Sequence, residues 1–279
     1  MIRSPLGSPV ADVLDDVLGG HVLHPIAGGD ICRAFRVVTG EEMYFAKTPR
    51  FPDPYLLPVE ADGLRRIGAA VPGLVPEVVH ADEDWLVLEW VEQTSAGPAA
   101  AEMLGRMLAQ LHATPAGDFG DGPAQGRIGR LDMPVGTFDS WAPMYAELRL
   151  RPLVDEALPN CTALADALLG EPEWAGPREP ASLIHGDLWS GNILWSEQPR
   201  VIDPACHVGH RETDLAMLAL FGTVHLDHLL AAYQEVFPLA PGWQARVGLH
   251  QLWPLLVHAR MFGGGYAARA EAVAADYLG

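Results

Sequence analysis

Basic residues are scarce in this chain: 18 Lys and Arg stand against 36 Asp and Glu, a formal net charge of -18. So negative a surface repels nucleic-acid phosphate and anionic lipid unless a basic patch offsets it locally. The sequence offers no such patch, so neither nucleic acid nor membrane is an expected partner. Cysteine is scarcer still. Cys32, Cys161 and Cys206 are odd in number and lack C-x-x-C spacing, which argues against a disulfide scaffold and makes the reducing cytoplasm the expected setting. No apolar run approaches the roughly 20 residues that a membrane helix requires. Met1 to Val10 carries one Arg, then Pro, Gly and Ser where a secretory signal would be apolar.

What is present is a globular balance, 49% hydrophobic and 19% charged, far from the polar composition of disordered chains. The 279 residues suffice for one large domain or two modest ones sharing a cleft. Oligomeric state is not written in the sequence; a monomer is the expectation.

Ser8 can cap a helix over Val10 to Leu18, and the glycines of Ala27-Gly28-Gly29-Asp30 interrupt any strand begun at Val22. Ala34 to Val38 and Met43 to Lys47 read as a hairpin, Val59 to Ala70 as a helix containing Glu60, and Glu77 to His80 and Trp85 to Val91 as two more strands. From Pro98 the texture turns helical. Ala101, Leu104, Leu108 and Leu111 mark one face of a helix ending near His112, Pro115 to Thr137 reads as an ordered crossing loop, and helices follow at Phe138 to Leu150 and Cys161 to Leu169. Brief strands are expected at Ser182 to Ile184, Ile193 to Trp195 and Arg200 to Ile202; beyond Glu212 the chain is helical apart from turns at Pro238 to Pro241 and Gly263 to Gly265. The reading is α+β and bilobal: a small β-sheet lobe over 1–91, then a larger, mainly helical lobe over 92–279.

The chemistry-bearing residues follow the order of the protein-kinase template for phosphoryl transfer. An Asp that accepts the substrate hydroxyl proton is followed five positions later by a metal-ligating Asn, a spacing that Asp187 and Asn192 reproduce. Asp203 then occupies the place of the second metal-ligating Asp, oxygen ligands suiting a hard cation. His185-Gly186-Asp187 alone would equally serve as ordinary turn chemistry. The upstream residues add weight: Lys47 at a strand end to hold the α- and β-phosphates, Glu60 on the next helix to orient it, and the turn Gly28-Gly29-Asp30, whose N–H groups can approach phosphate. Glu89, Trp90 and Val91 are placed to form an inter-lobe hinge that bonds the adenine edge. His185 and Asp214 are read as braces behind the catalytic loop. The implied cofactors are ATP and Mg²⁺, the metal being needed all the more against so negative a field. Cys206, His207 and His210 have C-H-x-x-H spacing but no fourth ligand to match, so zinc is not expected. Cys32, beside the glycine turn, reads as a small buried residue, its redox role left open.

Two motifs, HGDLWSGN over His185 to Asn192 and VIDPACHVGHRETDLAM over Val201 to Met217, resemble those of the fructosamine-3-kinase (ketosamine-3-kinase) family, allied to aminoglycoside and choline kinases within the protein-kinase-like superfamily. Weaker agreement at Gly28 to Ile31, Tyr44 to Lys47 and Leu104 to His112 extends the likeness over nearly the whole chain. The resemblance implies ATP-dependent phosphorylation of the sugar 3-hydroxyl of a ketosamine, free or protein-bound, leading to deglycation, with Trp189 facing the ketosamine pocket, its ring placed to stack on the sugar or meet the secondary ammonium. One segment departs: Asp132-Met133-Pro134-Val135-Gly136 stands where relatives tend to carry a Pro-Gln-x-Asn element, so another amino-sugar or amino-alcohol acceptor is the alternative.

Overall fold

The computed structural model describes residues 10–27, 29–170 and 172–279. Ser8 and Gly28 lie outside them. Helix α1 (Val10–Leu18) leads into strands β1 (Val22–Ile26), β2 (Cys32–Thr39) and β3 (Glu42–Pro49), then helix α2 (Leu56–Ala70), then β4 (Val78–Ala81) and β5 (Leu86–Glu89). The five strands form one antiparallel sheet in the order β1-β2-β3-β5-β4.

The two-residue period of β3 decides what faces each side of that sheet. Ala46 packs with Val87, Phe35, Val37 and Trp85 against Leu14 of α1. Phe45 points the other way, into the core that Leu57, Ala61 and Leu64 of α2 share with Leu86 and Leu88. Lys47, two residues on, shares the α2 face, which is why its ammonium reaches Glu60.

Helix α3 (Pro98–Ala113) begins the helical part, and a crossing segment follows whose two short strands β6 (Arg127–Ile128) and β7 (Leu131–Asp132) pair antiparallel. Sequence periodicity predicts one α-helix over Phe138 to Leu150. Instead a single turn, α4 (Trp141–Met144), widens into a π-helix at Tyr145–Leu150. Tyr145 has a reason to sit there: its hydroxyl donates to the Leu249 carbonyl at 2.8 Å and accepts the Trp253 N–H at 3.0 Å. It thereby enters the ladder of a later helix just before Pro254, whose missing N–H already breaks that ladder.

Helix α5 (Pro159–Gly170) precedes strands β8 (Ser182–Ile184), β9 (Ile193–Leu194), β10 (Arg200–Val201) and β11 (His207–Gly209). β9 pairs with β10, and β8 with β11. Strand β11 was not foreseen, because His-Val-Gly is too short to show a period. Helices α6 (Glu212–Phe221), α7 (Leu226–Val236), α8 (Trp243–Phe262) and α9 (Tyr266–Leu278) complete the chain. The break between α6 and α7 was also missed; it is made by left-handed or otherwise positive φ at Gly222 (75°) and His225 (55°). Helices α3 and α7 approach so closely that a Cβ on Gly105 would lie 2.2 Å from the Leu229 carbonyl oxygen. No helix among the described residues is long and apolar enough to cross a membrane.

Candidate active site

The loop from His185 to Asn192 hangs between β8 and β9, and the loop carrying Asp203 lies between β10 and β11. Because β8 pairs with β11 and β9 with β10, the two loops are forced side by side. Gly186 sits where they touch: with φ at 80°, its missing Cβ would be 2.2 Å from the Ala205 carbonyl oxygen. No other residue fits there without moving the backbone.

Each member of His-Gly-Asp has a separate task. The His185 ring accepts the Asp187 N–H at Nδ1 (3.2 Å), which leaves the proton on Nε2 to donate to the Ile202 carbonyl at 2.9 Å. One neutral imidazole thus joins the Asp187 and Asp203 loops. Burial holds its pKa below the ordinary histidine range, so the ring stays neutral. Behind the loop, the fully buried Asp214 of α6 accepts the N–H groups of His185 (2.7 Å) and Gly186 (2.9 Å). His112, at the end of α3, donates from Nε2 to the same carboxylate at 3.1 Å while its Nδ1 accepts the Tyr233 hydroxyl at 3.0 Å. His112 and Tyr233 were not singled out from sequence. A helix-terminal His has no local signal that a carboxylate 102 residues away needs it.

In the cleft itself, the Lys47 ammonium lies 2.6 Å from Glu60 Oε2 and 2.7 Å from Asp203 Oδ1. Burial would lower the lysine pKa, but the Asp203 and Glu60 charges overcome it and the net shift is upward. Lys47 is therefore a fixed cation. Burial pushes Asp203 up as well, yet Lys47 more than offsets this by charge and hydrogen bond and holds it below the ordinary range. Its backbone is left-handed, φ 56°, a conformation Asp tolerates better than most residues. Asp187 behaves differently. Burial and then the Asp203 charge raise it to about 7, opposed by the hydrogen bond from Asn192. Asn192 spends its NH₂ on Asp187, 2.8 Å to the carbonyl and 3.3 Å to Oδ2.

The same bonds leave the Asn192 Oδ1 without a hydrogen-bond partner among the described residues, and the Asp203 side chain is 46% exposed. Two oxygen donors without a competing nitrogen or sulfur fit a hard divalent cation.

Other predicted residues fall around this centre. Gly29, with φ 76°, and the exposed Asp30 form the turn between β1 and β2, tied to β3 by the Arg50 N–H to the Ile31 carbonyl (2.9 Å) and the Arg50 guanidinium to the Gly29 carbonyl (3.3 Å). Glu89 ends β5, three residues beyond the Leu86 that pairs with Lys47, and its carboxylate accepts the Glu77 N–H. Trp90 and Val91 continue as an extended connection, the Trp90 indole N–H bonding to Glu92. Trp189, 38% exposed, folds back over its own loop: a Cβ on Gly191 would meet its six-membered ring at 2.3 to 2.6 Å.

Cys206, His207 and His210 do not converge on one point. Cys206 packs beneath α2 at Gly63, and His207 pairs with Ile184. His210 instead lies near Glu212 and His250, but its Nδ1 accepts the Glu212 N–H and both Glu212 oxygens are held by Arg246. The divergent segment takes part in a link between the sheet and the helical part. Arg127 bonds Asp132 at 2.7 Å and Asp53 at 3.4 Å, with its guanidinium over the Tyr55 ring, while the Pro134 carbonyl accepts from buried Arg149 at 2.7 Å.

A twisted antiparallel sheet with one helix carrying the partner of a strand lysine, joined to a helical part that carries Asp187, Asn192 and Asp203, defines the kinase-like class of phosphotransferases. The aminoglycoside phosphotransferase APH(4)-Ia shares this fold, with a TM-score of 0.64 over 98% of this chain and 100% of that one at 16% identity. Residues 10–279 match the family model described as Fructosamine kinase, and the chain belongs to that family. A "Probable ketoamine kinase" of Synechocystis sp. is 34% identical over 88% of this chain and 86% of its own length. One from Lactiplantibacillus plantarum is 32% identical over 91% and 94%. A crystal structure from Thermobifida fusca, named as a candidate fructosamine-3-kinase, superposes with a TM-score of 0.89 at 37% identity, covering 97% of this chain and 98% of that one. The protein is thus a kinase of the ketosamine type.

Proposed function

We propose that the protein transfers the γ-phosphate of ATP to the 3-hydroxyl of a ketosamine, a ribulosamine, erythrulosamine or fructosamine, in the cytoplasm, and so initiates deglycation. The observation that carries this reading is the convergence of Lys47, Glu60 and Asp203 beside Asp187 and Asn192 in one cleft.

On this reading the division at Val91 separates a nucleotide lobe (1–91) from a catalytic and acceptor lobe (92–279). Lys47, kept charged and oriented by Glu60, neutralises the α- and β-phosphates; backbone N–H groups of the turn holding Gly28, Gly29 and Asp30 approach the phosphates; the chain at Glu89, Trp90 and Val91 borders the adenine. Asn192 and Asp203 would hold Mg²⁺, which when bound neutralises charge on the phosphates. Asp187 takes the proton of the sugar O3 as that oxygen bonds to the γ-phosphorus, and the bond from phosphorus to the β,γ-bridging oxygen breaks to leave ADP. A carboxylate at about 7 is a base matched to neutral pH. Trp189 supplies an aromatic face beside the reacting sugar, where the secondary ammonium of the adduct is favoured.

The test is a coupled ADP-release assay with ATP and Mg²⁺ over free and protein-bound ketosamines. Wild type is expected to turn over at least one of them and Asp187→Asn none; equal rates for the two proteins would overturn the reading.

A further inference from the structure

Trp189 is the first of a row of rings. Phe221, the last residue of α6, meets it edge-on with centroids 6.1 Å apart. His258 of α8 lies 4.7 Å from Phe221, and Phe262 and Tyr266 lie 5.5 and 5.2 Å from His258. The row is open to solvent at two points, Trp189 being 38% and Phe262 50% exposed.

Its far end lies on the last turn of α8 and the start of α9. Met261, beside Phe262, presses on Gly129 so closely that a Cβ there would lie 2.6 Å from Met261 Cε, with Ile31 Cδ1 of the glycine turn 3.4 Å away. The rings therefore run from the loop holding Asp187 to the end of α8, where the neighbouring Met261 meets Gly129. His258 donates its Nδ1–H to the Pro254 carbonyl at 2.7 Å, and burial lowers its pKa, so the ring is neutral and does not repel a cation.

We propose that Phe221, His258 and Phe262, with Tyr266 closing the row, form the subsite for the amine-borne half of the acceptor and favour amines carrying an aromatic or bulky alkyl group. This rests on the ketosamine reading above. In a ketosamine the nitrogen is three bonds from C3, so a sugar with O3 at Asp187 places its ammonium near Trp189 and its substituent on the next rings. Flat apolar groups gain there from ring contact and loss of water-exposed surface. A methyl substituent is too short to reach them.

The experiment compares kcat/KM, with Mg²⁺-ATP saturating, for ribulosamines of phenethylamine and methylamine, in wild type, Phe262→Ser and the remote surface control Val236→Ser. Burying a phenyl ring predicts a wild-type preference for the phenethyl adduct of about tenfold, falling several-fold in Phe262→Ser and unchanged in the control. A lost fold would depress both substrates alike and leave the ratio intact. A wild-type ratio near unity, or one that Phe262→Ser leaves unchanged, overturns the subsite while sparing the ketosamine reading. Failure to phosphorylate either adduct, or any other ketosamine, overturns both.

Discussion

Lys47 and Asp203, 156 residues apart in the chain, meet with Nζ 2.7 Å from Oδ1. That contact joins the sheet to the helical part at the floor of the cleft, and Glu60 at 2.6 Å completes it. Removing the cation with Lys47→Met should lower kcat/KM for ATP by about 10²- to 10³-fold, the usual scale for loss of one preorganised charge. The mutant also leaves Glu60 buried beside Asp203 with no counter-charge. Steady-state kinetics varying ATP at fixed acceptor checks the effect; a loss below threefold would remove Lys47 from the nucleotide site.

Asp214 is the residue on which the loop from His185 to Asn192 hangs, with two backbone donors and His112 on one carboxylate. In Asp214→Asn an amide NH₂ must replace one of these acceptors, and donors are left facing donors. A loss of about 2–3 kcal/mol is expected, from unsatisfied buried donors. Thermal and urea unfolding measure it. If stability is unaltered, the brace is not one.

Asp187 gives a pH dependence of definite sign. Its folded-state value of about 7 lies above the ordinary 3.8, so the folded protein binds this proton more tightly than the unfolded chain does. The ionised group therefore costs stability, a cost absent well below pH 4 and complete above pH 7. Asp187→Asn should melt above wild type at pH 8, the gap closing toward pH 4. The same group predicts a rate that rises with pH through an apparent pKa near 7. A flat profile from pH 5 to 8, with no gap in melting temperature at pH 8, would contradict the assignment.

Gly191 isolates the role of Trp189. Its φ is not in the left-handed region, so alanine is tolerated by the backbone, but the new Cβ would fall 2.3 Å from the indole and expel it. Gly191→Ala should fold and bind nucleotide normally while acceptor KM rises about tenfold, the worth of one aromatic or cation–π contact. Isothermal titration with nucleotide and kinetics with acceptor separate the two effects.

Much of this was readable from residues alone. The convergence of Lys47, Glu60, Asp187, Asn192 and Asp203, with Asp214 behind them, was legible from their fixed order and spacing, and the sheet because β-rich runs alternate around turns. Strand β11 and the α6–α7 break were too short to carry a period. The π-helix at Tyr145–Leu150 depends on a hydroxyl entering a helix over a hundred residues later, which local pattern cannot encode. His112 and the contacts of Trp189 with Phe221 and of Phe221 with His258 escaped for the same reason: the partners are distant in sequence, and nothing in a lone Phe or His marks which side chain it will meet.

The most direct test of phosphoryl transfer to the sugar O3 is phosphorus–proton correlation NMR of the product formed from ATP, Mg²⁺ and a ribulosamine. A phosphomonoester coupled to the sugar H3, made by wild type and absent with Asp187→Asn, is the expected result. Phosphate on any other position, or the same product from both proteins, would contradict it.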